Sequence, residues 1–158
     1  IRRPPRSTQS RSSAASDVYK RQGRDRAVED ALGAYGMHLG TAFQLIDDVL
    51  DYSGDKAATG KNVGDDLAEG KPTLPLLHVM RHGTPEQSQR VREAIASGGT
   101  QDFSAILQAI RDTGALEYTR QKAEQEAQMA VEALAGLPPG AYRDALIELT
   151  TFAVHRNY

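Results

Sequence analysis

Gly40-Thr41-Ala42-Phe43-Gln44-Leu45-Ile46-Asp47-Asp48-Val49-Leu50-Asp51 is the stretch on which the reading of this chain turns. Placed on a helix at about 100° per residue, it sorts by side. Gly40, Gln44, Asp47, Asp48 and Asp51 fall within an arc of about 100°. Leu39, Ala42, Phe43, Leu45, Ile46, Val49 and Leu50 occupy most of the remaining surface. The spacing predicts a largely buried helix that carries a narrow acidic stripe. Asp47 and Asp51 are four residues apart and Asp48 and Asp51 three, so their charges repel along the helix. No Lys or Arg occurs between Ala27 and Asp55 to offset them. Two readings follow. The stripe is a solvated polar face, or it holds a hard divalent cation. Mg2+ suits the second, because it takes oxygen ligands and is usually held by one or two carboxylates together with substrate phosphates.

The residues that follow bear on that choice. Tyr52-Ser53-Gly54 ends the helix, and residues 55–73 form a loop with glycines at 60, 64 and 70. Lys61 and Lys71 each follow a glycine. Glycine lets the backbone approach a ligand closely, and lysine supplies a compact positive charge suited to phosphate. The loop is not a P-loop: five residues separate Gly54 from Gly60 where that motif has four, and Asn62 stands where Ser or Thr is needed. Nor is it an EF-hand, since the alternating acidic ligands and central glycine are missing. A diphosphate site built from acids, glycines and lysines is chemically coherent. Asp55 and Lys56 read as solvated loop charges. Asp65 and Asp66 stay open between supporting the loop lysines and reaching metal-bound water.

These residues resemble the second aspartate-rich motif of the trans-polyprenyl diphosphate synthases. The likeness continues through Gly60-Lys61-Asn62-Val63-Gly64-Asp65-Asp66 and Glu69-Gly70-Lys71-Pro72-Thr73-Leu74-Pro75-Leu76, then through 82–87 and 114–120, and spans about residues 24–158. It implies an all-α fold, the C-terminal part of the isoprenoid synthase helical bundle. It also implies a Mg2+-dependent prenyltransferase that extends an allylic diphosphate by head-to-tail condensation with isopentenyl diphosphate, with the quinone side chain as the expected use. Carried over residue by residue, Asp47 is a direct Mg2+ ligand, while Asp48 and Asp51 complete the metal shell or reach it through water. Gln44 lines the cavity, Lys61 contacts the allylic diphosphate, and Lys71 is a second candidate for that contact. Asp47, Asp48 and Lys61 are the expected catalytic residues. The family's first aspartate-rich motif and its isopentenyl-diphosphate-binding basic residues have no counterpart here. The expectation is therefore a fragment inactive by itself, with apolar surface where the missing helices would pack. The parent enzyme is expected to be a cytoplasmic homodimer. A noncatalytic helical subunit of a heteromeric synthase and a class I terpene cyclase are the competing readings. The intact acidic stripe argues against the first, and the glycine-lysine loop against the second.

The rest of the chain is consistent with one helical domain. Residues 1–22 are rich in Arg, Ser and Pro and show neither helical nor strand periodicity. The run from Ser12 to Gln22 resembles a translated sequencing adaptor, so 1–22 is set aside as a non-native leader and 23–158 is taken as the domain. Without the leader the chain carries 13 basic and 20 acidic residues, a net charge of −7 rather than −2, and the case for nucleic-acid binding disappears. No apolar run reaches the 18 residues a membrane span needs, and there is no cysteine.

Helices are expected over 24–53, 72–81, 85–96, 102–112, 116–134 and 142–155, with no sheet. Ala31, Leu32, Tyr35, Leu39 and Phe43 should face inward on the first helix, and Leu146, Leu149 and Phe152 on the last. Gly33, Gly36 and Gly40 should permit close helix approach. The histidines at 38, 78 and 82 read as structural or solvent-facing. Thr119, Arg120, Glu124 and Glu126 read as a solvated face.

Overall fold

A computed structural model describes residues 26–53, 64–98 and 102–155. Among them there are seven helices and no strand: α1 (Arg26–Ser53), α2 (Asp65–Ala68), α3 (Leu74–His82), α4 (Pro85–Ser97), α5 (Phe103–Asp112), α6 (Ala115–Ala133) and α7 (Ala141–His155). The leader assigned to 1–22 lies outside the described residues.

Local chemistry sets most of the boundaries. α4 opens on a complete capping box: Thr84 Oγ1 accepts from the Gln87 amide, and Gln87 Oε1 accepts from the Thr84 amide. Pro85 occupies the first turn, where its missing N–H costs nothing. Pro75 plays the same part in α3. Gly98 ends α4 and Gly114 starts α6, both with positive φ. The short helix α2 falls where the sequence reading has only a loop. Gly64, with φ 88°, turns the chain into it, and Leu67 anchors it in full burial.

α1 and α6 form the most extensive helix pair and run antiparallel. Tyr35 packs near Ala130, and His38 Nδ1 meets Glu126 Oε2 at 2.7 Å one turn along. Thr119, Ala123, Ala127 and Ala130 form the buried stripe of α6. Small side chains at helical spacing leave room for a neighbouring helix. Two apolar clusters flank this pair. One gathers Tyr52, Leu67, Leu76, Val79, Val91, Ile106 and Ile110 from α1 to α5. The other joins Tyr35, Ala130 and Leu134, with Leu146 and Ile147 of α7 packed against them.

The structure corrects several inward assignments. Phe43 is 43% exposed, because it lies on a side of α1 that the described helices leave open. Leu149 and Phe152 are 49% and 59% exposed. The buried line of α7 instead runs through Thr150 and Ala153, with Leu146 partly buried. A Cβ added at Gly33 or Gly40 would meet nothing within 4 Å, so no described helix approaches there. Thr119 is fully buried rather than solvated: its hydroxyl donates to the Ala115 carbonyl at 2.8 Å and needs no water. Glu126 is partly buried against His38 rather than free in solvent.

Candidate functional site

The acidic face sits near the C-terminal end of α1, where that helix meets the chain leading into α3. Asp48 and Asp51 are buried, 8% and 9% exposed, while Asp47 is half-buried and Gln44 exposed one turn earlier. Burial of two carboxylates is unusual for a merely solvated face. Asp48 Oδ2 accepts the Leu74 amide at 3.2 Å. Leu74 is the first residue of α3, so a carboxylate of α1 satisfies one orphan amide of the neighbouring helix and sits at the positive end of its dipole.

The remaining partners come from the segment between α1 and α3. The Gly64 amide donates to the Asp51 carbonyl at 3.1 Å and ties the start of α2 to the end of α1. A Cβ at Gly64 would run into the ring of Phe103, and φ 88° is itself hostile to a side chain. Thr73 Oγ1 donates to the Tyr52 hydroxyl at 3.2 Å. Lys71 Nζ lies 2.9 Å from Asp66 Oδ1 and 2.7 Å from Glu69 Oε2.

Electrostatics agrees with this crowding. Burial pushes the Asp48 carboxyl above the ordinary carboxylate range. The Leu74 amide pulls it down, Asp66 and Asp47 push it up again, and Lys71 opposes them. Burial raises the Tyr52 hydroxyl strongly; Thr73 moderates this, while Asp51, Asp66 and Asp48 add to it. The bonds from Glu69 and Asp66 raise the Lys71 ammonium. Asp47, Asp48, Asp51 and Asp66 thus share one negative patch, with Lys71 at its edge.

Of the residues singled out from sequence, the structure brings Gln44, Asp47, Asp48 and Asp51 onto one side of α1 and sets Lys71 within electrostatic reach of Asp48. Lys61 lies outside the described residues. Asp66, open in the sequence between supporting the loop lysines and reaching metal-bound water, pairs with Lys71. The Leu74 amide is an addition and had no signal, because backbone contacts between distant elements leave no residue-type trace. Among the described residues, no group of three or more His, Cys, Asp or Glu is gathered to hold a metal ion unaided. The donor set is nevertheless all oxygen and rich in charge. It fits Mg2+ in the manner that uses one or two carboxylates and leaves other positions for water and phosphate. A cavity of about 190 Å3 lies elsewhere, between α6 and α7, lined by Ala127, Gln128, Val131, Thr150 and Val154 among others. It has no part in the acidic face. No helix among the described residues is long and apolar enough to cross a membrane.

Comparison with known proteins places this geometry in context. A family model described as polyprenyl synthetase matches residues 11–113, beginning inside the stretch set aside on composition. Over 137 residues the chain is 53% identical to octaprenyl diphosphate synthase of Haemophilus influenzae, covering 86% of this chain and 42% of that protein. Over 130 residues it is 57% identical to octaprenyl diphosphate synthase of Escherichia coli, covering 82% and 40%. Among solved structures, it superposes on a polyprenyl synthase of Caulobacter crescentus complexed with calcium and isoprenyl diphosphate. That match has a TM-score of 0.82 and 41% identity, over 92% of this chain and 45% of the other. A geranylgeranyl pyrophosphate synthase of Corynebacterium glutamicum, complexed with isoprenyl diphosphate and magnesium, gives a TM-score of 0.74 at 34% identity, over 85% and 39%. The chain therefore spans about two fifths of the curated relatives it matches, at 42% and 40% of their length.

Proposed function

The chain belongs to the polyprenyl synthetase family, and we propose that the acidic face of α1 is one side of a Mg2+-dependent prenyl-elongation site in the whole protein. The observation that carries this reading is the buried, desolvated Asp48 crowded by Asp47 and Asp66. A fold that concentrates negative charge in this way is suited to a cation brought by an anionic substrate.

In the proposed reaction the C1–O bond of an allylic diphosphate breaks and diphosphate leaves with the electron pair. The double bond of isopentenyl diphosphate forms the new C–C bond to C1, and loss of a proton restores an allylic product. The barrier is charge separation, so catalysis amounts to stabilising the departing anion. When bound, Mg2+ supplies Lewis-acid neutralisation of that diphosphate. The chain's own residues position and compensate. Asp47, Asp48 and Asp51 would hold the cation, and the Leu74 amide fixes the Asp48 carboxylate. Gln44, exposed on the same side of the helix, lines the substrate space. Lys61 and Lys71 are assigned to the diphosphate. Lys71 must exchange Asp66 and Glu69 for phosphate oxygens, which its exposure permits.

The relatives named octaprenyl diphosphate synthase favour a long trans-polyprenyl product, of the kind used as a quinone side chain. A cytoplasmic homodimer is the accompanying proposal for the parent protein. Mn2+, a spectroscopic substitute for Mg2+, tests the site in this chain. With inorganic diphosphate present, Mn2+ should bind the chain, and Asp47→Asn should weaken binding by about 10-fold or more. Equal Mn2+ affinity in the two proteins would remove the metal role from this face.

A further inference from the structure

We propose that Tyr52 and Thr73 are positioning residues for the acidic face: their hydroxyl pair holds residues 71–74 against α1, so that Asp48 and Lys71 keep their places when a cation and diphosphate bind. This role presupposes the metal–diphosphate reading of that face and adds two residues that touch neither ion. Tyr52 lies four residues after Asp48, on the same side of α1, and Thr73 directly precedes Leu74. Two bonds therefore run side by side between α1 and the start of α3. The Leu74 amide donates to Asp48 Oδ2 at 3.2 Å, and Thr73 Oγ1 donates to the Tyr52 hydroxyl at 3.2 Å.

An exchange of partners sets this junction apart from an ordinary helix start. Thr73 is the N-cap residue of α3, with extended backbone, yet its side chain caps no amide of its own helix. A threonine there normally accepts from one of the first amides. Here its hydroxyl goes to α1, and α1 returns Asp48 to the Leu74 amide. Tyr52 and Thr73 are both buried, 3% and 8% exposed, so water does not compete for their bond. The two bonds differ in kind. A cation drawing on Asp48 weakens that carboxylate as an acceptor for Leu74. The neutral hydroxyl pair carries no such charge and keeps the segment in register. The Thr73 amide also donates to the Lys71 carbonyl at 3.0 Å, so a shift at Thr73 carries Lys71 with it.

The test reads Mn2+ binding to the full chain with inorganic diphosphate by electron paramagnetic resonance, alongside urea unfolding without ligand. Tyr52→Phe and Thr73→Val each remove the pair and should weaken Mn2+ binding about 10-fold, with no further loss in the double variant. Thr73→Ser keeps the hydroxyl and should bind as the wild type does. Stability should not follow affinity. Tyr52→Phe frees the Thr73 oxygen to cap α3, whereas Thr73→Val strands a buried phenol. Thr73→Val should therefore have the lower urea midpoint of the two despite an equal loss of binding. Wild-type affinity in Tyr52→Phe would overturn the proposal. So would a binding loss that tracks the urea midpoint, as a contact serving only the fold would give. Failure of the underlying reading looks different: Asp47→Asn then binds Mn2+ as tightly as the wild type, which withdraws the site and this role with it.

Discussion

The Leu74 amide of α3 donates to the Asp48 carboxylate of α1 at 3.2 Å, which makes one residue of the acidic face a cap for the neighbouring helix. The contact binds fold and site together, because the carboxylate held there is also the one pushed upward by burial and by Asp66 and Asp47. Its folded-state carboxyl titrates above the unfolded value. The ionised form therefore costs stability at neutral pH, and that cost is relieved as the pH falls through the folded value.

Asp48→Asn keeps an oxygen for the Leu74 amide and removes the charge. It should stabilise the metal-free chain by a few tenths to about 1 kcal/mol at pH 7. The gain should shrink toward the acid end of the range. Asp48→Ala removes the acceptor as well and should lose about 1 kcal/mol through the uncapped amide. Urea unfolding of both variants at pH 7 and pH 5 checks the sign of each. Equal destabilisation by Asn and Ala would mean that charge crowding is not the dominant cost.

Gly64→Ala should destabilise by about 2–3 kcal/mol, since the new methyl adds left-handed backbone strain to a collision with Phe103. Combining it with Phe103→Ala should recover the collision part and leave the backbone part. Denaturant midpoints for the double-mutant cycle separate the two. Full additivity would show that the ring has already moved aside.

Tyr35→Phe should cost about 1 kcal/mol. The Tyr35 hydroxyl donates to the Leu146 carbonyl at 2.9 Å and lies 3.4 Å from Thr150 Oγ1, joining α1 to α7. Thr150 also donates to Leu146, so that carbonyl keeps one partner and the loss stays modest. Amide exchange should quicken mainly in α7. A uniform acceleration across α1 and α3 would show that α7 does not open as a separate unit.

Leu149 and Phe152 stand exposed on α7. The paired change Leu149→Gln and Phe152→Gln should leave the unfolding free energy within about 0.5 kcal/mol while raising the concentration at which the chain stays monodisperse. Light scattering reads the second effect. A large stability loss would place these side chains in the core after all.

Much of this architecture was legible where local chemistry is explicit. Thr84-Pro85 announces a helix start, and Gly98 and Gly114 mark the ends on either side of α5. The acidic side of α1 follows from spacing alone. The failures share a cause: an apolar side chain reports what it would bury against, and the sequence does not say which neighbour is present. Leu149 and Phe152 read as core because they repeat at helical spacing, yet the described fold covers the side of α7 at Thr150 and Ala153. Gly33 and Gly40 read as close-approach points, and no described helix comes near them. The Leu74 amide was invisible for a different reason, since every residue but proline has one.

Turnover in a full-length chimera tests the role of the acidic face of α1 most directly. Residues 26–158 of this chain would replace the matching part of the Haemophilus influenzae octaprenyl diphosphate synthase. Labelled isopentenyl diphosphate would then be followed into polyprenyl product with Mg2+ and an allylic diphosphate. Elongation by the chimera is expected, with a fall of about 100-fold or more in the Asp47→Ala version at unchanged helical content. Near-equal turnover of the two folded chimeras would contradict it and detach the acidic face of α1 from the chemistry.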